Sequence, residues 1–220
     1  MPIISKYFPM TNKHILASFD EALTGLKDDV LQLGMSCRSN LGISINALLK
    51  REIDEIVDVL ASQDEMSSLA ARIDEDAMNV IVRFQPVASD LRFVLSSMKV
   101  AANLDRISSH VVKIAKRTSK ILNIAEVGEV NLLEPIYLRA DKALGQAIVA
   151  YSDGNPELVS DLEAEDNEID KLYKKARNTF TSAIEGQPEY YKELIHLMFV
   201  SRSLERIGDH AVDIAGNLLD

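Results

Sequence analysis

A single cysteine in 220 residues excludes an intramolecular disulfide, and nothing else in the chain points to an oxidising compartment. Tryptophan is absent and aromatic residues make up only 5% of the chain, against seven methionines, a balance that leans towards helix-rich packing. No apolar run approaches the roughly 18 residues a membrane span needs. Residues 1–13, with Pro2 and Pro9 and no sustained apolar block, do not resemble a secretory signal and are expected to form an N-terminal tail. Cytoplasmic location is the resulting expectation. Basic residues are outnumbered 24 to 34, and a net charge of -10 argues against nucleic acid or anionic lipid as the main partner. The same balance lets the protein concentrate cations without selecting one. Catalytic signatures are missing too. There is no Ser-His-Asp arrangement, Gly-rich phosphate cradle or dinucleotide fingerprint, so the chain is not expected to be an enzyme. A di-metal carboxylate oxidase is the weakest alternative, because its bundle site draws a Glu-x-x-His pair from each of two helices and the chain does not supply them.

What is present is helical periodicity. From His14 to about Leu49, Ile15, Phe19, Leu23, Leu26, Val30, Leu33 and Cys37 share a stripe, with Gly34 and Gly42 as places for a kink or break. A second helix starts near Glu52–Asp54 and ends at Gln85-Pro86, and a third runs from about Val87 to Ile121. Residues 122–132 mix Gly, Glu and Asn and are expected to link two halves. A fourth helix covers about Leu133–Tyr151. After the turn Asp153-Gly154-Asn155-Pro156, with Pro156 placed to open the next helix, a fifth runs to Glu185, and Gly186-Gln187-Pro188 precedes the sixth. No strand alternation of useful length occurs. The expectation is an all-α protein of six helices in two tandem three-helix bundles, residues 14–121 and 133–220.

The two halves are related. Shifted by 100 residues, Asp90–Arg117 falls on Tyr190–Asn217 with nine of 28 positions identical, among them Leu104/Leu204, Arg106/Arg206, Ile107/Ile207 and His110/His210. Helical patterning explains matched apolar positions, but a shared Leu-acid-Arg-Ile core with His at the same offset indicates tandem duplication. Leu204-Glu205-Arg206-Ile207-Gly208-Asp209-His210, followed by Ile214-Ala215, resembles the signature that closes each repeat of the PhoU family of bacterial phosphate-uptake regulators. Asp90-Leu91-Arg92 and the helix before it fit the first repeat of that family, and the resemblance covers about residues 13–219.

The candidate site lies in the second repeat. Glu205 and Asp209 are one turn apart at the margin of an apolar stripe, and so are Asp166 and Asp170 on the fifth helix. One such pair means little, since 34 acids in 220 residues give about five i,i+4 acid pairs by chance. Antiparallel neighbours would bring the two pairs face to face, and four carboxylates there repel unless protonated or bridged by cations. An all-oxygen set suits Mg, Mn, Ca or ferric iron more than a structural zinc site. The resemblance implies that these four residues bind metal (Fe, Mg, Mn or Zn), as one ion or several bridged together. The first repeat departs from the pattern: Asp64 and Asp105 match Asp166 and Glu205, but Ser68 and Ser109 replace Asp170 and Asp209, and Ser108 replaces Gly208. Two carboxylates are not expected to hold a metal tightly.

The plainer reading of all these acids is a solvated margin paired with Arg206 or Lys174. His110 and His210 sit about 100° round the helix from the fourth motif position and read as solvent-facing or interface histidines. His14 and His196 read as structural, and Cys37, on an apolar stripe, as a buried thiol. Asp90-Leu91-Arg92 reads as a helix start with an acid near the N-terminal dipole and an adjacent surface ion pair. The resemblance implies a negative regulator that acts by docking as a homodimer, with the phosphate ABC transporter ATPase and the phosphate-sensing histidine kinase as its partners. A metal-free helical adaptor is the alternative.

Overall fold

Apolar residues recurring at three- and four-residue steps fold into helices, and the computed structural model, which describes residues 17–52, 54–124, 126–154 and 159–218, contains no strand among the described residues. The first half comprises α1 (Ala17–Lys50), the short α2 (Ile56–Ala61), α3 (Gln63–Phe84) and α4 (Ala88–Ile121); the second comprises α5 (Leu133–Asp153), α6 (Val159–Gly186) and α7 (Tyr191–Gly216). Short 3-10 turns at Gly128–Leu132 and Pro188–Tyr190 lead into α5 and α7. The six long helices expected from periodicity are all present. The tail at residues 1–13, the first residues of the helix placed at His14, and Pro156 lie outside the described residues.

Two local expectations are corrected. The second helix is not one rod, because Ser62 flattens to ψ -6 between α2 and α3. Its hydroxyl donates to the Val59 carbonyl at 2.9 Å and accepts the Asn40 amide at 2.8 Å, a side-chain bond that competes with the helix and bends it. Conversely, α1 runs unbroken past Gly34 and Gly42. Gly34 serves packing instead: a Cβ there would stand 3.0 Å from Ile148 on α5.

The eight residues Leu23, Leu26, Val30, Leu33, Cys37, Leu41, Ile45 and Leu48 bury one face of α1. Each large side chain so withdrawn from water contributes about 1.5–3 kcal/mol. Bonded pairs give the directions. Arg38 reaches Asp141 through two hydrogen bonds of 2.7 and 2.8 Å while Lys27 donates to the Ser152 carbonyl, so α1 and α5 are antiparallel. His110 meets His210, and Arg117 meets His196, so α4 and α7 are antiparallel as well. Each long helix at the seam thus packs on its own repeat equivalent, the arrangement of an internal two-fold. Apolar residues of both halves join in one core cluster. At the seam the Ser97 and Tyr151 hydroxyls are 2.8 Å apart and buried, and burial raises the Tyr151 phenol above its ordinary range.

Candidate metal centre on the second repeat

Gly208 is the residue that sets the site. On α7 it faces α6 so closely that a Cβ would lie 2.8 Å from Ile169 Cδ1 and 3.1 Å from Asp166 Oδ1. Arg202 lies over Tyr173 of α6 with its guanidinium 5.6 Å from the ring centre, which fixes the two helices as antiparallel. This close approach brings Asp166 and Asp170 of α6 into the field of Glu205 and Asp209 of α7. Burial first, then the charges of Asp209, Asp170 and Asp213, push the Asp166 carboxyl up to about 6. Burial and then Asp209 raise Glu205, with Arg202 and Arg206 acting against the shift.

Three of the four acids have a basic neighbour. Arg202 donates to Glu205 Oε1, Arg206 to Asp209 Oδ2 and Lys174 to Asp170 Oδ2, each at 2.8 Å. Asp166 has no ion pair among the described residues. Its Oδ1 and Glu205 Oε2 are buried without a hydrogen-bond partner, although Arg206 Nε stands 3.6 Å from the Glu205 oxygen. The arrangement costs free energy at Asp166 above all, unless a proton or a cation satisfies the oxygen. No three His, Cys, Asp or Glu side chains among the described residues converge on a common point as they stand. The donor set is nonetheless suited to a hard cation: carboxylate oxygens only, two of them without a hydrogen bond, under a glycine that keeps the wall clear.

The first repeat does not rebuild this arrangement. Among the described residues the Asp105 carboxylate receives only the Ser67 hydroxyl, at 3.4 Å, and the buried Ser108, where the second repeat has Gly208, donates to the Asp105 carbonyl. Ser109 is exposed.

Other sequence assignments resolve as follows. His110 and His210 are interface residues whose rings meet at 5.9 Å across α4 and α7; burial, then Lys113 and His210, lower His110 to about 4. Cys37 is a buried thiol pushed up to about 12 by burial and the Asp105 charge. One Glu-x-x-His spacing does occur, Glu193 to His196, but His196 Nδ1 lies 2.9 Å from Arg117 and no second such pair exists in the chain. Sequence reasoning missed Arg202, whose i,i+3 spacing to Glu205 was the available signal. It also missed buried Glu165, which accepts Arg139 and Lys142 from α5; burial opposes its charge, yet those cations hold its carboxyl below the usual range.

Comparison with known proteins agrees with this architecture. The PhoU domain matches residues 30–118 and 137–218. The chain is 26% identical over 209 residues to a phosphate-specific transport system accessory protein PhoU homolog of Xylella fastidiosa, covering 94% of this chain and 88% of that protein. It is 28% identical over 202 residues to the Zymomonas mobilis protein of the same name, covering 92% and 85%. The crystal structure of PhoU from Pseudomonas aeruginosa superposes with a TM-score of 0.87 at 26% identity, over 91% of this chain and 97% of that one. With both halves matched and the duplicated helices paired across a single seam, the chain belongs to the PhoU family.

Proposed function

We propose that this protein is a cytoplasmic negative regulator of phosphate uptake that works by docking and not by turnover, as a homodimer that couples the phosphate ABC transporter ATPase to the phosphate-sensing histidine kinase. The names of its relatives as accessory proteins of the phosphate-specific transport system support the first part. The observation that carries the metal-dependent part is the pair of buried oxygens on Asp166 and Glu205 left without a hydrogen bond, the Asp166 one without an ion pair as well among the described residues. Asp166, Asp170, Glu205 and Asp209 would hold the ion, which when bound supplies the positive charge that lets α6 and α7 keep four carboxylates at one seam. Gly208 keeps the approach open, and Arg202, Arg206 and Lys174 hold the acids in its absence. Those same three cations favour a second reading, a metal-free adaptor in which three of the four acids are served by protein partners and Asp166 is protonated.

Elemental analysis separates the two. Metal is expected in the purified protein and not in a variant carrying Asp170→Asn and Asp209→Asn. An ion at a hundred times its Kd adds about 2.7 kcal/mol to the folded state, or roughly 5–10 °C in Tm for a chain of this size. Equal metal in both proteins, or no rise in Tm with Mn, Mg, Ca, Zn or ferric iron, establishes the adaptor.

A further inference from the structure

The charge of this protein is unevenly placed. The chain carries -10 overall, yet α4 holds seven Lys and Arg against two Asp. Four of these cations, Lys113, Lys116, Arg117 and Lys120, fall within eight residues that contain no acid. Helical spacing lines up Lys113, Arg117 and Lys120 on one side of α4. Alongside, the N-terminal half of α7 exposes Tyr191, Ile195 and Phe199 at 46%, 38% and 50%, a row of successive i,i+4 steps about 12 Å long.

The two rows adjoin at Arg117. Its guanidinium lies 4.1 Å over the Phe199 ring, and its Nη1 is 2.9 Å from His196 Nδ1. None of Lys113, Arg117 and Lys120 has a carboxylate partner among the described residues. The single acid within residues 191–201, Glu193, is buried, so it reaches His196 only through its field. Stacking and the His196 contact fix the plane of the Arg117 fork while leaving donors free, the state in which arginine binds a carboxylate through two parallel bonds. An apolar row of helix width beside unpaired cations is what an amphipathic helix with one acidic flank complements. A flat anionic bilayer is the poorer fit, because the remainder of the chain is acidic and would be repelled.

We infer that the α4–α7 face docks an acidic amphipathic helix of a partner protein, with apolar side chains over Tyr191, Ile195 and Phe199 and carboxylates on Lys113, Arg117 and Lys120. The inference deepens the docking reading above by naming a surface and the chemistry of what it receives. It does not depend on the metal.

The test is fluorescence anisotropy on the full chain, with a labelled helical peptide bearing Leu at i, i+4, i+7 and i+11 and Glu along one flank. Binding is expected on the order of 10 µM, weakening several-fold as salt rises from about 50 to about 300 mM. Arg117→Glu with Phe199→Ala should lower affinity roughly tenfold or more, and Arg117→Lys, which keeps charge but not the stack, by less. If Arg117→Glu lowers Tm sharply, Lys113→Gln with Lys120→Gln carries the comparison. The Asp170→Asn, Asp209→Asn variant should bind as the parent does, so failure of the metal reading leaves this result standing. The inference is overturned if a Gln-for-Glu peptide binds equally well or if the surface variants bind unchanged. It is overturned equally if the metal-site variant alone loses binding, or if vesicles of phosphatidylglycerol in phosphatidylcholine retain the protein while the peptide does not.

Discussion

Asp166 stands apart from the three other acids because no basic side chain among the described residues pairs with it, and that isolation makes its titration readable. Its folded pKa of about 6 lies above the ordinary 3.8, so the fold favours the protonated form. Stability from that proton is fully present below the ordinary pKa and is lost as pH rises through about 6. In chelator at pH 7.5, Asp166→Asn should therefore stabilise the fold by about 1 kcal/mol once solvent screening of a partly exposed group is allowed for, a rise of roughly 2–4 °C in Tm. The gain should shrink as pH falls towards 4. With cation bound the sign reverses, since the variant loses a ligand. An equal gain at pH 4 and pH 7.5 would mean that the carboxylate is not strained. The four acids themselves were legible from their i,i+4 spacing. That two oxygens would be left without a hydrogen bond was not, because it depends on how deeply Gly208 lets α7 settle against Asp166, a packing fact with no one-dimensional signal.

Among elements, the start of α4 carries a local cost. Gln85, just before Pro86, has φ 50, and Ala88, beyond an extended Val87, has φ 49. Gln85 closes α3 in the left-handed conformation and donates its N–H to the Ile81 carbonyl, so its strain is repaid by a cap. Ala88 makes no such contribution, and a β-carbon in that region costs about 1–2 kcal/mol. Ala88→Gly should raise stability by about 0.5–1 kcal/mol after the larger chain entropy of glycine is subtracted. Urea denaturation with an unchanged m-value measures it, and a destabilised variant would mean that the Ala88 methyl packs for more than its strain. Helix existence was legible here because apolar stripes such as Leu104, Ile107, Val111 and Ile114 on α4 persist over many turns. The break at Ser62 was not, since it comes from a hydroxyl that bonds back to Val59 and across to Asn40 of another helix.

For the whole molecule, the seam decides whether two repeats are two domains. The duplication was visible in sequence, but the pairing of like with like was not, because His110 and His210 look the same whether they face water or each other. Buried polar contacts cross the seam at Ser97 and Tyr151, Gly34 admits Ile148, and one apolar cluster spans both halves. Separating the repeats would strip both α1 and α5 of packed faces and expose Tyr151. The chain should therefore unfold as one cooperative unit, with a calorimetric enthalpy of about 140–150 kcal/mol near 60 °C equal to its van't Hoff value. Either half alone, expressed as residues 17–124 or 126–218, should lack sharp tertiary signals and bind hydrophobic dye, since the burial made across the seam no longer helps to offset chain entropy. Two resolved transitions, or an isolated half with native near-UV signals, would reduce the seam to a contact between finished domains. One cooperative unit would mean instead that an ion bound in the second repeat stabilises the first as well. Occupancy at Asp166 and Glu205 would then add to the stability of the whole core without altering the α4–α7 docking surface, and no moving part is required.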